Sequence, residues 1–289
     1  MAKQKKPPEN NSQKSATEFQ LRSSINGPLA EQSFLERSLL FAELSMVSYM
    51  HPKECSAVAK RFGFTSGKFV NSNGAQVYVF SSEWDCVVVC RGTEPNEWND
   101  IKADLYALMA MAQTVGRVHR GFKTEVDDLW HHLEELLKAN KLPLWFAGHS
   151  LGGAMAAICA GRCFLSHIES EPVEIYTYGS PRVGNKRFVN HVRVPLYRWV
   201  NNNDMVTRVP PMWLGYRHAG REFYINRNGD IKEIYGWRRV SDRLKGMVYG
   251  LGKWQIDIFS DHLMGGYIES IDKAIKKGFV IKDDPSATS

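Results

Sequence analysis

Apolar positions along this chain repeat with two periods, and the switches between them lay out a row of elements. From residue 29 the pattern is helical, with Phe34, Leu35, Leu39, Ala42, Leu44 and Val47 near one face. A hairpin follows, with arms 68–70 and 76–80 around Asn73-Gly74, a pair suited to a tight turn. Cys86-Val87-Val88-Val89-Cys90 is an unbroken β-branched run and predicts a strand buried on both faces. Residues 94–118 do not resolve into one regular element. Residues 125–140 are amphipathic through Val126, Leu129, Trp130, Leu133, Leu136 and Leu137, which predicts a helix. A short apolar strand at 142–147 and a small-residue helix at 153–161 come next. Two further strands are predicted at 173–178 and 196–200, and a second hairpin at 223–225 and 231–234 around Asn228-Gly229. A last helix is predicted over 267–277.

Strands alternating with helices from 86 to 200 imply an α/β protein, with a mostly parallel central sheet flanked by helices on both faces. The hairpins add antiparallel edges. Residues 1–28, rich in Lys, Gln, Asn, Ser and Pro, predict a disordered basic tail. Residues 29–289 then form a single domain, with no internal repeat.

Composition narrows the picture little. Of 289 residues 43% are hydrophobic and 24% charged, ordinary for a globular protein. The net charge of +6 comes without a dense Lys/Arg run in the ordered part, so nucleic acid is not an expected partner. No apolar run is long enough to cross a bilayer. Pro7-Pro8-Glu9 follows the basic N-terminus where a signal peptide would turn apolar. Five cysteines cannot all pair, and Cys86, Cys90, Cys159 and Cys163 sit in apolar elements. Together these predict core thiols in a reducing compartment, the cytoplasm. His131-His132-Leu133-Glu134 lacks metal-ligand spacing, and no phosphate- or dinucleotide-binding glycine loop occurs, so neither metal nor cofactor is expected.

The chemistry lies in Gly148-His149-Ser150-Leu151-Gly152. Alone, these five read equally as a glycine-rich turn. Between a buried strand and a small-residue helix they read as a nucleophile elbow, with Ser150 lifted from the sheet. A serine hydroxyl needs a base, and the base needs an acid to orient it. In this architecture they follow the serine in the order acid, then histidine. Asp204, in the polar loop after strand 196–200, is the leading acid; Asp230 and Asp242 are its rivals. His262, in a loop before the last helix, is the leading base, with His218 a rival and His191 out of order. An oxyanion would be held by the N–H of Leu151 and a second donor from the Arg91-Gly92-Thr93 loop, where Thr93 is the candidate.

These pieces resemble the class 3 lipases. The matching segments are Cys90-Arg91-Gly92-Thr93, Val118-His119-Arg120-Gly121-Phe122, the elbow through Gly153, Thr177-Tyr178-Gly179-Ser180-Pro181-Arg182-Val183-Gly184-Asn185, and 203–211. Gly215-Tyr216-Arg217-His218-Ala219-Gly220 and Asp261-His262 with Tyr267 complete the series. The resemblance implies an α/β-hydrolase fold, Ser150 as nucleophile, Asp204 as orienting acid, His262 as base, and Thr93 and Leu151 as oxyanion donors. It assigns structural parts to the His119 and His218 segments. It implies hydrolysis of acylglycerol or other lipid esters, with phospholipase, aryl (feruloyl-type) esterase, acyltransferase and non-catalytic lipid binding as alternatives. It also implies an apolar lid after the Arg-Gly-Thr loop, here supplied by Trp98, Leu105, Met109 and Met111. Basic and apolar residues alternate over 237–254, which suits transient contact with a lipid interface or anionic membrane. The sequence sets no oligomeric state.

Overall fold

Buried residues on alternate positions of each strand divide between two cores, and this division explains the layering. The computed structural model describes residues 19–93, 108–232 and 261–281. In chain order these hold α1 (Phe34–Val47), α2 (Pro52–Phe62), β1 (Ser66–Ser72), β2 (Ala75–Ser81) and β3 (Cys86–Cys90). After residue 107 come β4 (Met109–Met111), β5 (Arg117–His119), α3 (Arg120–Ala139), β6 (Leu144–His149), α4 (Leu151–Cys163) and β7 (Pro172–Tyr178). There follow β8 (Gly184–Asn185), α5 (Lys186–His191), β9 (Leu196–Asn201), β10 (Tyr216–Arg217), β11 (Arg221–Ile225), β12 (Ile231–Lys232) and α6 (Met264–Lys276).

Eight strands form the main sheet in the order β1-β2-β3-β6-β7-β9-β11-β12. The five from β3 to β11 run parallel, and antiparallel pairs close each edge. Trp145, Tyr176, Tyr178, Tyr197 and Trp199 point into one core with residues of α1, α2 and α6. Their neighbours Leu144, Phe146, Ile175 and Leu196 point into the other, against α3 and α4. Large rings therefore fill one side, and small or aliphatic groups admit α4 closely on the other. Phe34 packs 4.7–6.1 Å, centroid to centroid, from four of the rings on the first side.

Several elements depart from the periodicity. Residues 19–28 are not a free tail. Phe19 and Ile25 are buried, Ile25 N–H donates to Phe62 O at 2.7 Å, and Arg22 Nη1 meets Asp272 at 2.9 Å. The buried Glu43 carboxylate takes the Arg22 N–H (2.9 Å) and the Ser23 hydroxyl (2.5 Å). Its apolar residues are few, and Phe19 and Ile25 join the core beside polar groups whose partners lie far along the chain. Helix α3 starts five residues before the predicted position, because His119 caps it by accepting Phe122 N–H at Nδ1 (3.4 Å). Helix α2 is absent from the predicted elements, although its buried Cys55, Val58, Ala59 and Phe62 stand at helical spacing. It begins with Pro52 in its first turn and stops at Gly63, whose φ of 109° is the left-handed cap. A second sheet, β10-β8-β5-β4, is built from strands of two or three residues, too short to leave a pattern.

Candidate active site

Ser150 joins the end of β6 to the start of α4 with φ 58° and ψ −130°. Such a left-handed conformation at a non-glycine residue costs about 1–3 kcal/mol, and the surroundings must hold it. They do so through backbone bonds from Ser150 N–H to Tyr178 O (2.8 Å) and from Gly153 N–H to Ser150 O (3.0 Å). The motif glycines are explained by contact. A Cβ on Gly148 would lie 2.4 Å from the Gly152 backbone, and one on Gly152 would lie 2.1 Å from Cys90 O. The elbow is therefore pressed against the end of β3. Ser150 Oγ is buried and has no hydrogen-bond partner among the described residues.

The Arg91-Gly92-Thr93 loop passes over the elbow. A Cβ on Gly92 would meet His149 O at 2.6 Å and Ser150 Cβ at 3.3 Å. Thr93 is half-buried at the last described position of this loop, and Leu151 is half-buried as the first residue of α4. N–H groups in a first helical turn have no intrahelical acceptor.

Asp204 and His262, 58 residues apart, meet as a buried pair: His262 Nδ1 lies 2.8 Å from Asp204 Oδ2. Two further groups hold the carboxylate. Val206 N–H donates to Oδ1 at 2.9 Å, and the Tyr267 hydroxyl donates to Oδ2 at 2.6 Å. Burial, then the nearby Asp204 charge, pushes the Tyr267 hydroxyl well above its ordinary range, so it stays a donor. Gly179, with φ 59°, makes the space. A Cβ there would lie 2.6 Å from Asp204 Oδ2 and 2.8 Å from His262 Nδ1. The Asp261-His262 loop is further pinned by Asn201 Nδ2 to Asp261 O (3.0 Å), and by Asn202 Nδ2 (3.0 Å) and Asn203 N–H (3.2 Å) to the Asp261 carboxylate.

The loop also touches the elbow itself. His149 Nε2 lies 2.8 Å from His262 O, and the two rings are 4.4 Å apart. Burial, then the neighbouring His262, holds the His149 imidazole well below its ordinary pKa, so it stays neutral.

The described rivals have other partners or are exposed. Asp230 pairs with Lys273 at 3.1 Å, and Asp242 is outside the described residues. His218 Nε2 meets Thr207 O at 2.7 Å, and His191 is exposed at the end of α5. Of the expected lid, Trp98 and Leu105 lie outside the described residues, as does the basic stretch 237–254. Met109 and Met111 are not in a loose segment. They belong to β4, paired with His119 and Arg117 of β5, because a two-stranded register captures them. Tyr49, Gly179, Asn201 and Tyr267 were not singled out by residue chemistry. Tyr267 appeared only within a resemblance motif, and Tyr49 leaves no signal in the sequence. Among the described residues no group of three His, Cys, Asp or Glu is placed to hold a metal ion.

A parallel sheet bearing a strained serine at a strand-to-helix elbow, with Asp204 beyond the end of β9 paired to His262 from the loop before α6, defines an α/β-hydrolase. Residues 87–213 match the family model of lipase (class 3). The chain is 34% identical over 122 residues to a lipase of Rhizomucor miehei, covering 39% of this chain and 34% of that protein. It is 36% identical over 126 residues to the secreted mono- and diacylglycerol lipase 1 of Fusarium solani, covering 41% and 37%. The chain thus spans about a third of the length of these curated relatives. A solved triacylglycerol lipase, described as having a serine protease triad for its catalytic centre, superposes with a TM-score of 0.55 at 26% identity. That match covers 66% of this chain and 80% of the other.

Proposed function

We propose that this protein is a serine carboxylic ester hydrolase of lipase type, acting on acylglycerols or related lipid esters. The observation that carries the reading is the buried Asp204–His262 pair, joined through His262 O to His149, the residue before an elbow serine with an uncommitted hydroxyl. In this reading Ser150 Oγ attacks the ester carbonyl carbon while His262 takes the hydroxyl proton. Asp204 fixes the imidazole tautomer and stabilises its charged form. The N–H groups of Thr93 and Leu151 bind the developing oxyanion. The C–O bond to the leaving alcohol then breaks, His262 protonates that alcohol, and water hydrolyses the acyl-enzyme by the reverse proton route. No cofactor enters.

A lipid interface suits the surface around this site. Met205 and Leu263, next in sequence to Asp204 and His262, are 42% and 49% exposed, and Trp213 is 85% exposed. The five buried free thiols support a reducing compartment, and we place the protein in the cytoplasm. A fluorophosphonate probe is expected to label the wild-type protein and not Ser150→Ala; a folded wild-type protein that resists labelling overturns the reading. Turnover compared across p-nitrophenyl esters, triacylglycerol and phosphatidylcholine separates lipase from esterase and phospholipase.

A further inference from the structure

We propose that His149, at the first x of the Gly-x-Ser-x-Gly elbow, is a positioning residue that ties the backbone of His262 to the strand carrying Ser150. The proposal rests on the ester-hydrolase reading for its kinetic consequence, though not for its geometry.

A backbone carbonyl can only accept a hydrogen bond. The 2.8 Å contact from His149 Nε2 to His262 O therefore requires a proton on Nε2. A neutral imidazole then leaves Nδ1 as an acceptor, and Nδ1 lies 2.9 Å from Tyr49 Oη, so the tyrosine hydroxyl donates to it. One tautomer satisfies both ends of a chain running Tyr49 to His149 to His262. Gly92 makes that chain possible, because a Cβ there would lie 2.4 Å from Tyr49 Oη. The Arg91 guanidinium lies over the Tyr49 ring at 5.7 Å, on the loop that carries Thr93.

The attachments of the His262 loop to Asn201, Asn202, Asn203 and Asp204 lie at or just beyond the end of β9. They place the loop relative to the acid. The His149 bond refers it instead to β6, one residue before the nucleophile. That bond sets the separation of base and nucleophile, which their own side chains cannot preset. The depressed basicity of His149 fits the role: a second imidazolium 4.4 Å from the ring that must accept the serine proton would oppose the transfer.

The test compares His149→Phe, His149→Gln and Tyr49→Phe with the wild-type chain. Phe keeps a buried ring and removes both hydrogen bonds. Gln returns an N–H donor near the Nε2 position. His149→Phe is expected to lower kcat by about 10- to 100-fold with KM changed less than about twofold, as for a small misplacement of reacting groups. His149→Gln is expected to recover at least half of that loss on a logarithmic scale. Tyr49→Phe, which removes a single hydroxyl at a half-buried site, is expected to lower kcat alone. The NMR signal of the His262 Nδ1 proton, bonded to Asp204, should broaden or move in His149→Phe and return in His149→Gln. A kcat for His149→Phe within about threefold of wild type, or an equal loss in His149→Gln, overturns the proposal. If His149→Phe does not fold, an unchanged kcat in Tyr49→Phe does so. A wild-type protein that neither turns over esters nor reacts with fluorophosphonate overturns the hydrolase reading instead, while the His262 proton signal still reports on the tether.

Discussion

Asp204 takes three hydrogen bonds on two oxygens, and two of them share Oδ2. A carboxylate so engaged is fixed in rotation, and it fixes the imidazole with it. Asp204→Asn keeps the shape but presents an amide to His262 and favours the wrong tautomer. Its kcat on a p-nitrophenyl ester should fall about ten-thousand-fold, as this change does in related geometry. Gly179 sets a limit of another kind. A methyl group there would sit within bonding distance of both Asp204 and His262, at a φ unsuited to alanine. Gly179→Ala should therefore cut kcat about 100-fold or more while the protein stays folded, measured by kinetics beside circular dichroism. Motif, strand-end placement and chain order single out Ser150, Asp204 and His262 in the sequence. Gly179 was legible only as part of a motif. Its reason is the distance to a carboxylate 25 positions later, which no local pattern encodes.

At the scale of elements, the first turn of the chain body hangs on a strand it does not adjoin in sequence. Asp85, just before β3, accepts the Leu29 N–H at 2.8 Å and the Trp145 indole N–H at 2.7 Å. Burial raises its carboxyl pKa, and the two donors work against that rise. Asp85→Ala would strand two buried donors, and at about 1–3 kcal/mol for each it should destabilise by roughly 2–6 kcal/mol, read from denaturant unfolding. The helices at 34–47 and 264–276 follow the apolar residues that predict them, and the helix at 151–163 follows its run of small residues, buried nearly throughout. Apart from α2, the elements missed are those whose cause is a contact. These are the cap that extends α3, the short strands of the second sheet, and the clasp of residues 19–28 on Glu43 and Asp272.

Across the whole molecule, buried ionisable groups pull stability in opposite directions with pH. Burial lowers the His149 pKa in the folded state. Between its ordinary value of 6.5 and the lower folded value, the unfolded chain binds the extra proton. That contribution is present above pH 6.5 and is lost as pH falls, by up to about 1.4 kcal/mol per pH unit. Burial raises Glu43, Asp85 and Glu174, so for these the folded state holds the proton more tightly below neutrality, and acidification relieves their cost. The His149 part is isolated by difference. Thermal midpoints of wild type and His149→Gln should converge as pH falls from 7 to 5. Parallel curves would show that His149 is not held neutral.

What the chain determines by itself is the order of elements and the inventory of chemistry. Period and branching mark the parallel strands. Glycine spacing marks the elbow, placement after a strand end favours Asp204 over Asp230, and chain order favours His262 over His191. These signals are local, or depend on one strand-end rule. Only the tertiary structure decides which side chains support the reacting ones. Tyr49 reaches His149 across 100 positions, and Tyr267 reaches Asp204 across 63. It also decides that Met109 and Met111 join a strand. Such choices turn on distances of a few ångströms between elements, which packing sets and periodicity does not.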